Sequence, residues 1–570
     1  MKWIFWIGGL LFPAWLFPLS PQAIPFPVAP DSSILKAMHS ELRRSMDSLK
    51  ISGQKVPHFI SYVFFDLQEY RVEASMGSIE KSGADKMQRI DVDLRVGSYT
   101  RDQTMFDGGI VYGPSLRSPV PESNDTLLLR QAFWALTDAR YKVALEKLSQ
   151  KNGFFEGRQE KAPLPDWSKQ KVLRQMEMDP ILPPDTSMWI SQMRKLSEFL
   201  GNVAWLTESR LAYQYYYITY YYVDSEGAQY IYASQENSII ASMLAQANDG
   251  APLWEFFRMA TRDSLPGNGR KEPTTFEALR DSLQQKIKRL DVLRNRPPLN
   301  LYRGPVLFSD AAAGEILYRS LLAPQSQLRQ PLSERSEPSF LLSLLGRKYF
   351  PDAFRVEDDP GIKRFEGKRL FGSYAFDHQG QPAEKITLID SGRIRDFYRG
   401  KMPFQSNGHG SNGHSRYGIG FPGVVNVTVS NGVSEKALLD TLSKLTRDEG
   451  APFGLCISKF ADEDAWKLLH HPLAMNLISD SPSPSPGSFA MSVPVTIDAI
   501  DPKTGSRTPV RGLFLNVLDS KSLRDIVAAG KTRYKLEPQA SFTILCPSLL
   551  FSLLDLRGSR QIQPRLPLLP

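Results

Sequence analysis

The sequence predicts an α+β protein in two parts. Residues 24–299 read as an N-terminal α/β region with a mixed sheet and long helices. Residues 300–570 read as a C-terminal antiparallel β-rich domain. Three observations predict this division. The first half alternates segments of helical spacing with long alternating runs. From Leu301 onward strand-like runs dominate, interrupted by short helical segments. Pro297-Pro298 closes the last long helical segment and marks the boundary. A chain of 570 residues is too long for one core. Its 42% hydrophobic and 23% charged residues are those of a globular protein, and 42 prolines with 39 glycines suit a strand- and loop-rich one.

The first segment reads as an export signal. Lys2 is the charged start, Trp3 to Phe17 is apolar apart from glycine and proline, and Ser20 and Ala23 follow. A signal peptide over 1–23 with cleavage near Ala23 predicts an exported, periplasmic or extracellular protein. The run is short of the roughly 20 residues that cross a bilayer and carries Pro13, and no later apolar run is long, so no membrane span is expected in the mature chain.

Asp31 caps a helix whose apolar positions are Ile34, Leu35, Met38, Leu42, Met46 and Leu49. Strands follow at Phe59 to Phe65, Tyr70 to Ser75 and Arg89 to Val96. Pro114 to Asn124 reads as a loop and a possible sub-boundary, and Asp125 to Lys151 as a long helix. Phe154 to Pro184 is polar and proline-containing, which predicts an exposed connection with a short helix in it. Trp189 to Phe199 is helical. Leu211 to Val223, packed with tyrosines, and Tyr230 to Ala233 form a hairpin around Asp224-Ser225-Glu226-Gly227. Tyrosine favours strands and no basic residues interleave here, so the run predicts sheet packing rather than a base-stacking platform. Thr274 to Leu293 is helical, as are Asp310 to Leu322, Glu435 to Lys444 and Leu523 to Ala529.

The formal net charge of +8 comes without a basic helix or a dense Lys/Arg run, so no nucleic-acid partner is expected. The two cysteines, Cys456 and Cys546, each lie inside an apolar strand-like run and read as buried small hydrophobes, with a disulfide as the other reading. There is no Cys-x-x-Cys, no Gly-x-Ser-x-Gly elbow and no phosphate-cradling loop.

Several segments of the second half carry more. They are Leu307 to Leu322, a strand end leading into a helix; Pro382 to Ile394; the Gly/Asn-rich Ser406 to Arg416; Phe421-Pro422-Gly423-Val424-Val425-Asn426-Val427; Thr508-Pro509-Val510-Arg511-Gly512; Ile526 to Gly530; and Pro547-Ser548-Leu549-Leu550. In this order they resemble the TldD/PmbA family of metalloproteases, well over 301–557 and loosely over 57–260. The resemblance implies dimers enclosing a peptide-sized cavity. In the family's catalytic branch the helix carries His-Glu-x-x-x-His, and a cysteine shortly before the last strands completes the zinc site. Aligned on Glu315, the histidine positions hold Gly314 and Arg319, and the cysteine position falls near Arg533. Neither glycine nor a protonated guanidinium can ligate zinc. Non-catalytic members lack the histidines too and resemble partners that complete the protease.

The resemblance therefore implies a degenerate metalloprotease-family subunit or peptide-binding module. Its partners are expected to be a peptide or unfolded protein segment and a second subunit, either a homodimer copy or a TldD-like paralogue. No cofactor is expected. Glu315 is catalytic only if the chain is active. The loop Gly408, His409, Gly410, Asn412, Gly413 and His414 reads as a mobile peptide-binding loop with its histidines facing solvent or peptide. The alternative is an active metalloprotease whose zinc is held by His409 and His414, with His378 or His470-His471 supplying a third ligand. A third class, a gyrase or nucleic-acid modulator, conflicts with the export signal.

Overall fold

The computed structural model describes residues 31–106, 118–120, 125–158, 164–179, 183–263, 265, 275–328, 339–404, 410–416, 418–462, 465, 468, 487–515, 517–538 and 541–558. The expected signal peptide, Gly408, His409 and His470-His471 lie outside these residues.

The N-terminal part is built on a seven-stranded sheet. Its long members are β1 (Pro57–Ser75), β2 (Ser78–Val96), β5 (Leu206–Asp224), β6 (Gln229–Gln246) and β7 (Pro252–Thr261), all paired antiparallel. β3 (Ser118–Val120) extends β2 antiparallel, and β4 (Arg174–Met178) runs parallel to β6. The two strands expected within 59–75 are one, because Asp66 to Glu69 keep their pairing with β2 on one side and β5 on the other. Met76 and Gly77 turn the chain with φ 49° and 85°, the positive pair that a tight hairpin needs.

Residue alternation puts Ile60, Tyr62, Phe64, Tyr70, Val72 and Ala74 of β1 on one face. Helices α1 (Ser32–Ser48) and α2 (Thr126–Arg158) cover one end of that face, and α3 (Thr186–Gly201) and α4 (Thr275–Arg294) cover the other. Asp31 caps α1 by accepting from the Ser33 N–H at 2.8 Å. Tyr213, Tyr215 and Tyr217 are buried here, Tyr213 stacked on Trp189 at 4.1 Å, as sheet packing predicts. The opposite face meets the C-terminal part: Ala212, Ile240, Leu244 and Phe256 pack with Ala465 and Leu468, and Tyr222 and Tyr230 with Phe376.

The segment expected to be an exposed connection is different. The helix α2 continues to Arg158, and β4 joins the sheet. Asp166 and Trp167 are buried, the indole 5.3 Å from Phe59 and 3.6 Å from the Arg95 guanidinium.

The C-terminal part holds an eleven-stranded sheet. At its centre β8 (Leu301–Phe308) pairs antiparallel with the strand Thr543–Gly558 and parallel with Gly454–Phe460. Val424–Val429 also runs parallel to Thr543–Gly558. The sheet is thus mixed rather than purely antiparallel. Parallel neighbours need crossovers, and the helices α5 (Ala311–Leu317) and α6 (Glu435–Asp448) lie on those connections. The helix expected over 523–529 is a short turn at Ser522–Asp525 followed by the strand Ile526–Leu536, because Ile526 and Ala528 pair with Phe551 and Leu550. No described helix is long and apolar enough to cross a membrane. Cys456 and Cys546 are buried and unbridged.

The two parts are pinned by charge. Lys401 is buried and donates to Glu226 at the tip of the β5–β6 hairpin at 3.0 Å, with Asp224 at 3.6 Å. Arg262 of the N-terminal sheet binds Asp179 at 2.9 Å and reaches the Leu370 and Ser373 carbonyls at 3.2 and 3.1 Å.

Candidate functional site

The strand β8 ends at Phe308, and α5 begins three residues later at Ala311. This places Gly314 and Glu315 just past the end of a central strand, and α5 runs on into a wider π-type turn, Tyr318–Leu322. Gly314 is packed shut. A Cβ there would lie 3.0 Å from both Cβ and Cδ2 of Leu536, with Ile544 Cγ2 at 3.6 Å. Leu536 pairs with Ile544 on the final hairpin and faces the helix where sequence alignment placed Arg533. Arg533 instead donates to the Asn426 side chain, with its guanidinium 5.7 Å from the Phe365 ring centre.

Glu315 is engaged. Its Oε1 accepts from Arg319 Nε at 2.8 Å and from Ser492 Oγ at 3.0 Å, and Arg319 Nη2 donates to Ser492 Oγ at 2.8 Å. The three form a closed triangle at a partly exposed rim. Zinc needs imidazole, thiolate or carboxylate donors converging on one point. Gly314, Arg319 and Leu536 supply none, so the residues at this position do not fit the metal. Among the described residues, no three of His, Cys, Asp and Glu come together to hold one.

The glycine loop is anchored rather than mobile from Gly410 onward. Asn412 is buried, donating to the Phe397 carbonyl at 3.0 Å and accepting from the Arg399 N–H at 2.8 Å. Gly413 has φ +70°, and a Cβ there would sit 2.0 Å from the Pro382 carbonyl oxygen. Gly410 abuts Gln170 of the N-terminal part. His414 is fully buried. Its Nε2 lies 2.8 Å from the Glu384 carbonyl and therefore donates to it. Its Nδ1 is 3.3 Å from Tyr374 Oη and 3.8 Å from Asp358 Oδ2. The expected solvent-facing histidine is a core residue, because Asp358 and two tyrosines surround it. Asp358 accepts from Tyr398 Oη and the Gly423 N–H, both at 2.8 Å. Burial pushes its carboxyl up, opposed by His414 and these donors. His378, the suggested third ligand, lies 5.2 Å from the Tyr220 ring centre at the interface between the two parts.

A run of aromatic rings connects loop and helix. Tyr318 lies 5.2 Å from Phe542, which lies 5.5 Å from Phe421. Arg416 stands 4.7 Å over Phe421 and 5.4 Å over Tyr374, the ring beside His414. Sequence reasoning missed Leu536, Ser492, Asp358 and Arg416. Ser492 lies 177 residues from Glu315, and no local pattern links such positions.

This architecture is a two-part α+β fold, with the candidate site where β8 turns into α5. Residues 302–450 match the PmbA/TldA metallopeptidase C-terminal domain. Over these residues the chain resembles the TldD/PmbA family. Among solved structures it is similar to a proposed modulator of a DNA gyrase from Thermotoga maritima, at 15% identity, TM-score 0.56, covering 87% of this chain and 96% of that one. It is also similar to TldE from Thermococcus kodakarensis, at 13% identity, TM-score 0.56, covering 92% and 100%. A proposed modulator of DNA gyrase from Bacteroides thetaiotaomicron matches at 13% identity, TM-score 0.57, covering 93% and 100%. These likenesses are of fold. No curated protein sequence matches the chain.

Proposed function

We propose that this chain is an exported, non-catalytic TldD/PmbA-family protein that binds a peptide or an unfolded protein segment, either as a homodimer or beside a TldD-like paralogue. The observation that carries the reading is Gly314 closed against Leu536, with Arg319 tied to Glu315. A glutamate acts as general base beside zinc when a metal-bound water is in reach. Here its acceptor oxygen holds an arginine and a serine instead. The export half of the proposal draws on Lys2 and the apolar run Trp3 to Phe17. The competing reading, zinc on His409 and His414, finds no support at His414, whose ring nitrogens both face protein groups.

The test is a random peptide library titrated against the full chain, with mass spectrometry for products and elemental analysis of protein purified without chelator. Weak, sequence-tolerant binding with no cleavage is expected, and no stoichiometric zinc. Zinc that is lost on His409→Ala would favour the rearranged protease. Absence of peptide binding would remove the binding half.

A further inference from the structure

The rim beside α5 carries a feature that a vacated metal site does not require. Tyr318, Arg319, Arg416 and Phe421 are all partly exposed, and they surround the buried ring of Phe542. Arg416 is held by one carbonyl and two rings. Its Nη1 donates to the Ser541 carbonyl at 2.6 Å, and its guanidinium lies over Phe421 and Tyr374. Among the described residues no carboxylate lies within 4.0 Å of it, whereas the partly exposed Arg258, Arg289 and Arg369 each have one. Arg319, at the other side of the rings, is oriented by Glu315 and Ser492 and stays 39% exposed.

We infer that this rim takes the free C-terminal carboxylate of a peptide, with Arg416 as the principal anchor, Arg319 flanking it, and the last side chain lying against Tyr318 and Phe421. The inference rests on the peptide-binding reading and gives it a ligand class. A guanidinium fixed by ring stacking and one carbonyl keeps N–H groups in the planar fork that a carboxylate accepts. An apolar side chain beside that carboxylate is what the exposed ring edges bury. A chain terminus presents both groups on one residue, whereas glutamate presents a carboxylate and leaves the rings unmatched.

Fluorescence anisotropy of the full chain tests this with one N-terminally labelled peptide ending in Phe. It is prepared as the free acid, as the amide, and as the amide with Glu before the Phe. The free acid should bind about tenfold tighter than either amide at low salt, as a charge-assisted fork does. Arg416→Gln should erase that difference. Arg319→Gln should narrow it. Equal binding of acid and amide would overturn the inference alone, as would a glutamyl amide matching the free acid, or a preference that survives Arg416→Gln. No binding of any of the three would overturn the peptide-binding reading and this inference with it. Should Arg319→Gln not fold by circular dichroism, Arg416→Gln decides, since its contacts lie at the rim.

Discussion

Two clusters in this molecule use the same chemistry in opposite surroundings. In the N-terminal part, Arg95 binds Asp102 at 3.0 Å and Asp93 at 3.1 Å, and Lys151 binds Asp166, whose carboxylate also accepts the Asp102 N–H at 2.9 Å. Lys151 and Asp102 are wholly buried. In the C-terminal part, Arg319, Glu315 and Ser492 form their triangle at a rim, the guanidinium 39% exposed. Taking charges out of water is costly and is repaid only by complete pairing, so the first cluster is fixed once folded. The second keeps access to solvent and exchanges partners at little cost. A sealed network builds a fold, whereas a rim network is available to a ligand. The Asp102 carboxyl shows the sealed case: burial drives it up, yet Arg95, Thr104 and Lys151 hold it below the usual range.

The comparison breaks first at Lys151. Removing it takes the ammonium away from the buried Asp166 carboxylate and frees the Asp102 and Thr104 carbonyls that it bridges at 3.0 and 2.6 Å. Lys151→Met should cost about 3–5 kcal/mol, read as a lowered urea midpoint. A loss under about 1 kcal/mol would show that water reaches this cluster and that the two are alike.

The anchored loop belongs with the sealed region. Gly413→Ala forces a Cβ into the Pro382 carbonyl at a positive φ, so it should cost about 3 kcal/mol and disturb the Tyr374–His414 contact. Thermal unfolding by circular dichroism measures it. A variant as stable as wild type would return the loop to the mobile class.

Much of the fold was legible because it follows local rules. The apolar spacing of α1 and α4 and the turn at Asp224 to Gly227 each depend on a few neighbouring residues. The misreadings occur where distant pairing overrides local character. Asp66 to Glu69 look like a break but are strand because β2 and β5 flank them. Ile526 to Ala529 look helical but pair with Leu549 to Phe551. At the site, the sequence placed Gly314, Glu315 and Arg319 on one helix. It did not place Leu536, which reaches Gly314 from the final hairpin, or His414, whose glycine neighbours suggested mobility. Glycine there serves close backbone approach, and sequence alone does not separate that use from flexibility.

The smallest expected effect sharpens the comparison most. Glu315→Gln keeps an oxygen acceptor for Arg319 and Ser492 and removes only the charge. The Glu315 side chain is 12% exposed and its partner 39%, so solvent screens the pair. The change should therefore cost less than about 1 kcal/mol, where Lys151→Met costs several times that. If Glu315 were a general base, the same substitution would abolish turnover while hardly altering stability. Urea unfolding and peptide mass spectrometry on the one variant thus report on both. A small stability loss with no product from either protein fits a non-catalytic rim. Hydrolysis by wild type that disappears in Glu315→Gln would make this helix catalytic after all. A loss above about 2 kcal/mol would place the triangle with the sealed network and not with the exchangeable one.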